Sequence, residues 1–486
     1  MLGVSGTATI GMALWIVFLT ITLSDIGISG TLSRFVAAER DPARLNAITS
    51  YGARAFAVAM LGGGLLTVLF LLVYWPDILG KYARSRGEAW GFAAIVLACF
   101  VVHMLFAFAY QLLRGLRRFD SIARLTLVGT LLQIVLVLIG SHFMGANGAL
   151  IGYLAFSLPM LWALARVRVT REQPPAEERK RMAVYAGTFY GTALFSPLLW
   201  VKADIILVDQ FRDGHAVGLF VAASTVAALL MQVSQMVCNA LAPNIMHAAA
   251  DGEAQLHSAS RTAVRFGLFV LLPTCAIGAA LAPQAIAVVF GAPFAGAGAA
   301  AAILCLAVAP SAVTLVSSSV LNATDSNKAL VRSGAVGAGL TVVLGVILVW
   351  KAGIIGAAVG RLIAQTVVAL LNLNALNRRL PGLVSLEWLG PILFSSLAAG
   401  LAGLAVGQVG LGLLAAVLGL VVAGGTYVAL VVLTMRMGSD ELAAATRIVA
   451  PLSPGPRKLA HLVIGWFAGK QEGSDTVAPR VDPGPL

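Results

Sequence analysis

The composition of this chain places it among membrane proteins. Its 486 residues are 59% hydrophobic and only 11% charged, and the mean hydropathy is +0.91, whereas a soluble domain has about 25% charged residues. This composition excludes an intrinsically disordered protein. All four cysteines lie inside apolar runs, which indicates free thiols rather than a disulfide scaffold. The net charge of +12 comes from basic residues scattered over connecting segments, a pattern that argues against nucleic-acid binding.

Thirteen apolar runs are long enough to cross a hydrocarbon core of about 30 Å as helices. They lie at residues 8–33, 54–75, 90–113, 125–143, 145–165, 183–208, 216–241, 265–290, 298–322, 330–350, 353–376, 388–407 and 411–434. The runs do not alternate in polarity as the strands of a membrane barrel do. The sequence therefore predicts an all-α, polytopic membrane protein.

The distribution of Lys and Arg predicts the orientation of the chain, because basic loops are retained in the cytoplasm. Loops after odd-numbered spans carry 24 of these residues, and loops after even-numbered spans carry six. This bias places the C-terminus in the cytoplasm and the first residue outside. An outside N-terminus without a signal peptide is unusual. We therefore expect the natural protein to begin with a further helix, which would give fourteen spans and make Met1 an internal or misassigned start.

Two stretches of the sequence resemble each other about 210 residues apart. Gly11 and Gly218 occupy matching positions with a spacing of 207, and Arg54 and Arg265 match with a spacing of 211. A second correspondence relates Leu113-Arg114-Gly115 to Leu321-Asn322-Ala323 with a spacing of 208. Internal repeats of this kind are typical of transporters, so the sequence predicts two equivalent helical lobes.

Several short motifs in this order resemble the polysaccharide transporter family, the bacterial oligosaccharide flippases of the multidrug, oligosaccharidyl-lipid and polysaccharide exporter (MOP) superfamily. The motifs are Leu23-Ser24-Asp25-Ile26-Gly27 followed by Arg34-Phe35-Val36, the turn Gln111-Leu112-Leu113-Arg114-Gly115, Asp204-Ile205-Ile206-Leu207 with Val217-Gly218-Leu219-Phe220, and Leu321-Asn322-Ala323-Thr324. The resemblance implies two six-helix lobes around a central cavity, followed by two extra helices.

The expected fold is thus a 14-helix, two-lobe flippase fold that lacks its first helix and has about 13 transmembrane helices. We expect an N-terminal lobe of five spans at residues 1–165, a charged cytoplasmic linker at 166–182, a C-terminal lobe of six spans at 183–380, two additional spans at 381–438, and a cytoplasmic tail at 439–486 with a short interfacial helix and a disordered end. The predicted location is the bacterial inner membrane.

Polar side chains that share a face of an apolar span are candidates to line a substrate cavity. Arg361 lies eight residues inside its span, and a guanidinium there could bind two oxygens of a diphosphate. The cavity candidates are Arg361, Gln365 and Asn372 on one face, Gln232, Gln235 and Asn239 on another, and His103 with Arg114 on a third. The alternatives are interhelical packing for the amides, a structural ion pair of Arg361 with Asp25 or Asp204, and simple cytoplasmic retention for Arg114.

Ionisable residues within or at the ends of spans are candidates to bind a coupling cation or proton. Four residues meet this description: Asp25, Lys202, Asp204 and Asp209, of which Lys202 and Asp209 share a helical face. The alternative role for the aspartates is hydrogen bonding at helix breaks.

The sequence favours a transporter over an enzyme. It contains no phosphate-binding loop of an ATPase, no His-x-x-x-His metal pair, and no external loop longer than about 15 residues that could hold the active site of a polymerase or ligase. The predicted function is a flippase for polyprenyl-diphosphate-linked oligosaccharides, without a cofactor. A multidrug or cation antiporter and a lipid II flippase remain alternatives. Expected partners are membrane lipids and a polysaccharide polymerase or glycosyltransferases, and we expect a monomer.

Overall fold

The computed structural model describes residues 2–83, 85–164, 170–193, 203–323, 327–383, 386–408 and 412–434. Within these ranges the chain forms fourteen α-helices and no β-strand. The helices are α1 (Gly3–Ser24), α2 (Ile28–Ala38), α3 (Pro42–Val73), α4 (Trp75–Asp77), α5 (Arg86–Gly115), α6 (Phe119–Leu164), α7 (Ala176–Ala193), α8 (Ala203–Phe211), α9 (Gly214–Asp251), α10 (Glu253–Val289), α11 (Gly298–Ala323), α12 (Asn327–Arg379), α13 (Leu386–Gly407) and α14 (Leu413–Thr434). A π-helical turn (Ile78–Tyr82) precedes α5, and a 3₁₀ segment (Ala292–Ala297) precedes α11.

Ten of the described helical segments are long and apolar enough to cross a membrane. Their outer faces expose large apolar side chains such as Leu61, Leu65 and Leu72 of α3. Contiguous apolar surface of this extent is unfavourable in water and favourable in lipid. The protein is therefore a multi-pass membrane protein, and the predicted fold class is confirmed.

Helices α6 and α12 each contain two of the predicted spans, folded into an antiparallel hairpin. The chain reverses at Gly145 (φ 59°, ψ −134°) and at Gly353 (φ 58°, ψ −134°). This conformation is open to glycine and strained for residues with a Cβ atom. The two glycines are 208 residues apart, so the hairpins confirm the repeat spacing found in the sequence. The described structure thus contains twelve crossings, and the thirteenth predicted span, 183–208, is only partly described.

Close backbone approach holds the two arms of each hairpin together. A Cβ atom on Gly148 would overlap with the carbonyl oxygen of Gly140, and one on Gly356 would overlap with that of Leu348. The repeat is also visible where α1 meets α9. Gly11 packs against Val221, and its counterpart Gly218 packs against Val4, with no room for a side chain at either glycine.

The first predicted span, 8–33, is broken into α1 and α2. Ile26 (φ 41°) and Gly27 (φ 74°) adopt left-handed conformations between the helices. The Asp25 carboxylate accepts hydrogen bonds from the backbone N–H (3.1 Å) and the hydroxyl (2.7 Å) of Ser29, and so caps the first turn of α2. Helix α7 packs over the break, where the Tyr190 hydroxyl donates to the Leu23 carbonyl (3.0 Å). This bond satisfies a carbonyl that the interrupted helix leaves open.

The chain packs as two compact units. One comprises the described parts of residues 1–225, 290–301 and 327–368, and the other those of 226–289, 302–326 and 369–486. The first contains a core around Phe56, Phe100 and Phe108, and the second a core around Leu268, Trp388 and Tyr427. In the second unit α13 and α14 pack against each other and against α10. The predicted lobe boundaries follow the repeat in chain order and remain a prediction. Residues 166–169 of the linker and the tail 439–486 lie outside the described residues.

Candidate functional site

The short helix α8 carries two buried carboxylates. Asp204 is near its first residue, Asp209 is near its last, and both side chains are inaccessible to solvent. A buried carboxylate costs several kcal/mol unless a cation or hydrogen-bond donors compensate it. The cations and hydrogen-bond donors around Asp204 and Asp209 therefore show which parts of the protein α8 connects.

Asp204 is paired with Arg361 in the second arm of α12. The Arg361 Nε atom lies 2.5 Å from Asp204 Oδ2, with 16% of the arginine side chain and 2% of the aspartate side chain exposed. The sequence left open whether Arg361 pairs with Asp25 or Asp204, and the structure pairs it with Asp204. A guanidinium has five N–H donors, more than one carboxylate accepts. The pair is formally neutral, and a guanidinium can bind a second group beside its carboxylate partner.

Asp209 is held by residues of the π-helical turn before α5. Lys81 Nζ lies 3.2 Å from Asp209 Oδ1 and 2.7 Å from its carbonyl oxygen, and the Tyr82 hydroxyl donates to Oδ1 at 2.5 Å. Lys81 also pairs with Asp77 at 3.3 Å. Burial, and secondarily the bond to Asp209, raise the pKa of Tyr82. Sequence analysis missed Lys81 and Tyr82 because they meet Asp209 across 127 to 128 residues; the only signal was that Lys81 is one of few basic residues in the predicted outer loops.

Two further contacts fasten the end of α8 to the α12 hairpin. The Arg212 Nη2 atom donates to the carbonyl oxygens of Val349 (3.3 Å) and Trp350 (3.0 Å), which lie just before the turn at Gly353. Leu207 packs against Gly345, where no side chain would fit. Helix α8 and the residue after it therefore contact α12 at three points, through Asp204, Leu207 and Arg212. Asp209 makes a fourth contact, with the π-helical turn.

The other predicted site residues have diverse surroundings. Gln365 and Asn372 follow Arg361 on α12 and are buried, whereas Gln232 and Gln235 are exposed on α9. His103 is half-buried, with Nδ1 2.9 Å from the Cys99 carbonyl oxygen, and Arg114 is exposed at the end of α5. Asp25 caps α2 as described above. Lys202 lies outside the described residues, as does the side chain of Asn239.

Comparison with known families identifies the chain. The family described as polysaccharide biosynthesis protein matches residues 1–248, just over half of the sequence. The chain belongs to this family. The match includes Lys81, Asp204 and Asp209, and Arg361 lies beyond it. The match confirms the predicted resemblance to a polysaccharide family.

Solved structures show that this family member has the MOP transporter fold. A lipid II flippase MurJ in an inward closed conformation is 14% identical and has a TM-score of 0.70, over 88% of this chain and 92% of that chain. An inward-facing multidrug resistance MATE transporter is 17% identical (TM-score 0.64, over 79% and 92%). A MOP superfamily transporter from Pyrococcus furiosus is 16% identical (TM-score 0.55, over 78% and 88%). No curated protein matches the sequence significantly.

Proposed function

We propose that this protein is a flippase that moves polyprenyl-diphosphate-linked oligosaccharides across the bacterial inner membrane for the synthesis of surface polysaccharide. The observation that carries the proposal is the Arg361–Asp204 pair, a partly accessible guanidinium within a membrane-spanning helix. Family membership supports a role in polysaccharide biosynthesis. In this proposal the protein is a transporter and not an enzyme, it acts as a monomer without a cofactor, and its C-terminus is cytoplasmic.

The transport problem explains why a guanidinium is useful at this depth. Each unpaired hydroxyl of a sugar costs about 2 to 7 kcal/mol in hydrocarbon, and a bare phosphate costs far more. The diphosphate presents paired oxygens, as the Asp204 carboxylate does, and a guanidinium binds such pairs with two parallel hydrogen bonds. We expect the diphosphate to compete with Asp204 for Arg361. Gln365 and Asn372 are buried in the present conformation, so they would line the cavity only after the helices move, together with Gln232, Gln235 and Asn239.

The Lys81–Asp209 pair is suited to lock the outer end of the protein. In the predicted orientation both residues lie at the outer side, Lys81 in the first predicted lobe and Asp209 in the second. Rocking of the lobes toward an outward-open state would separate them. Asp209 would then lose its cation and gain affinity for a proton or a coupling cation, which makes it our preferred coupling residue among Asp25, Lys202, Asp204 and Asp209.

A lipid II flippase is the second candidate function, since lipid II also carries a diphosphate and Arg361 would serve it equally well. Asp204, the carboxylate that could attract a cationic drug at this site, is already paired with Arg361. This pairing argues against the third alternative, an exporter of cationic drugs.

The test is deletion of the gene followed by leaflet-resolved detection of lipid-linked oligosaccharides. We expect these lipids to accumulate in the cytoplasmic leaflet, with relief by the wild-type chain and by Tyr153→Phe but not by Arg361→Ala. Accumulation of lipid II instead would support the second candidate. Accumulation in the outer leaflet would indicate a polymerase or ligase and would refute a flippase. An unchanged lipid pool would also refute a flippase.

A further inference from the structure

A groove lies between α2, α3 and α7, away from the Arg361 centre. Its volume is about 480 Å³, and its lining is almost entirely apolar. Leu32 and Met182 form a buried floor, while Ile26 and Val58 at the rim are 51% and 71% exposed. Val58 continues into Leu61 and Leu65, the exposed apolar face of α3. Because this face borders lipid, the groove opens sideways into the membrane, and hydrocarbon is what it can take up.

The same two helices form a basic recess next to the apolar groove. Helix α2 runs from the groove toward Arg34 and Ala38, while α7 runs in the opposite sense from Glu177 toward Ala186. The recess has a volume of about 850 Å³ and is lined by three cationic residues, Arg34, Lys180 and Arg181, and one anionic residue, Glu177. Its formal charge is therefore positive. An apolar groove and a positively charged recess that neighbour each other on the same two helices match a lipid with an anionic headgroup.

Aromatic and polar contacts hold the recess in shape. The Arg34 guanidinium lies 4.3 Å from the centre of the Tyr185 ring, a cation–π contact that fixes the arginine on α7. Tyr185 in turn packs edge-on against Phe35. Arg181 pairs with Glu177 at 2.7 Å. The Arg34, Lys180 and Arg181 side chains are all exposed, so a headgroup can reach them, and the Tyr185 contact orders the first of these three cations.

The linker between the predicted lobes is attached beside the groove. The Thr170 backbone N–H donates to the Ser50 hydroxyl (2.9 Å), and Arg54 donates to the Glu172 carbonyl (2.8 Å). Ser50 and Arg54 flank Tyr51 and Gly52, two residues of the groove lining. The described part of the linker is therefore hydrogen-bonded to α3 beside the wall of the groove.

We propose that this groove and recess together form an entry site for the polyprenyl-diphosphate carrier of the transported glycan, which the carrier occupies before its diphosphate reaches Arg361. The isoprenoid chain would lie between α2, α3 and α7, and the diphosphate would bind Arg34 and Lys180. The inference rests on the proposed function, which supplies the carrier. A single groove accommodates a single chain, whereas one of the two chains of a phospholipid would stay in the bilayer and contribute no selectivity. The predicted cytoplasmic position of Arg34 and Lys180 corresponds to the leaflet in which the loaded carrier is made.

The test uses the full chain in nanodiscs, with a polyprenyl phosphate as probe and phosphatidylglycerol as competitor, followed by native mass spectrometry. We expect the double variant Arg34→Gln, Lys180→Gln to bind the probe at least about tenfold more weakly, since each lost charge-assisted hydrogen bond weakens binding by that order. Arg40→Gln, an exposed cation outside the recess, is the matched control and should bind normally.

Groove-filling variants test independently whether the isoprenoid chain lies in the groove. Ala55→Phe should block the probe, and Ala183→Phe, at an exposed position of the rim, should do so without disturbing the core. Equal competition by phosphatidylglycerol would overturn the inference, as would wild-type affinity of the double variant or of Ala183→Phe. If oligosaccharide flipping is established but these variants bind and flip normally, the groove inference alone fails. If these variants lose binding but the wild-type chain itself flips no oligosaccharide, the proposed function fails instead.

Discussion

The two hairpins α6 and α12 share a backbone and differ in chemistry. Their turns at Gly145 and Gly353 have the same dihedral angles within 1°, and their arms approach through equivalent glycines, Gly148 and Gly356. At the repeat spacing of 208 residues, however, Arg361 of the second hairpin corresponds to Tyr153 of the first. The ion pair with Asp204 thus belongs to one copy only.

This difference separates the requirements of the fold from those of function. Glycines recur in both hairpins because the reversal and the close packing of the arms need them wherever the hairpin occurs. A buried ion pair contributes little net stability compared with apolar packing, and the fold itself does not require it, since α6 forms the same hairpin with a tyrosine. The charge that is present in only one copy is therefore our candidate for the transport role proposed above.

Removal of Arg361 should have the largest effect on stability. Arg361→Gln leaves the Asp204 carboxylate buried without its cation, which typically costs about 3 to 5 kcal/mol. The control is Tyr153→Phe at the equivalent position of α6, which we expect to cost less than about 1 kcal/mol. Thermal unfolding in detergent measures both. Equal effects of the two substitutions would abolish the contrast between the hairpins.

Substitution of the packing glycines should affect both hairpins alike. Gly356→Ala and Gly148→Ala each force a Cβ atom into a backbone carbonyl, and we expect each to lose about 2 to 3 kcal/mol of stability. Gly339→Ala, also in α12 but with open space around it, is the matched control and should be neutral or slightly stabilising. If Gly356→Ala unfolds like Gly339→Ala, the equivalence of the hairpin backbones is incorrect.

Loss of Lys81 should have a smaller effect because 28% of its side chain is exposed. We expect Lys81→Gln to cost about 1 to 2 kcal/mol through the buried Asp209 carboxylate, and Lys81→Arg to cost less. In the flippase account Lys81→Gln also favours the outward-open state, so labelling of Ile78→Cys, a buried position of the same turn, should become faster from outside. Unchanged labelling would contradict the outer lock.

The smallest expected effect concerns alkaline pH. The pKa of Tyr82 is raised in the folded protein above its ordinary value of 10, so the folded state retains a proton that the unfolded state releases. Stability from this group is complete below pH 10 and is lost as the pH rises further. Tyr82→Phe should therefore flatten the alkaline limb of the stability curve, and an unchanged slope would rule out this role.

The sequence predicted what depends on local pattern and on repetition. Apolar length revealed the spans, and the repeat spacing of about 208 residues recurs in the turns of the two hairpins. Helical periodicity placed Arg361, Gln365 and Asn372 on one face, but periodicity does not tell which neighbouring helix covers that face. In the structure a neighbouring helix covers that face, and the Gln365 and Asn372 side chains are buried. Only the structure selects Asp204 over Asp25 as the partner of Arg361.

Contacts between a loop and a distant helix carried no comparable signal. Lys81 and Tyr82 lie in a turn, where periodicity is lost, and Asp209 follows 127 to 128 residues later. The position of the break between α1 and α2 was not predicted, because Asp25-Ile26-Gly27 sits in an otherwise continuous apolar run. Hydrogen bonding at a helix break, the alternative role for Asp25, is the one that the structure shows. The sign of the break in the sequence was the Asp25-Ile26-Gly27 triplet, in which glycine stands two residues after a capping residue.

The most direct test of the account is a flipping assay with purified protein in proteoliposomes that contain a polyprenyl-diphosphate-linked oligosaccharide. Accessibility of the glycan to an impermeant lectin or glycosidase reports its leaflet. The account predicts that the wild-type chain and Tyr153→Phe equilibrate the lipid between leaflets, and that Arg361→Gln does so at least about tenfold more slowly. A wild-type rate no faster than that of protein-free liposomes, or equal rates for wild type and Arg361→Gln, would contradict it.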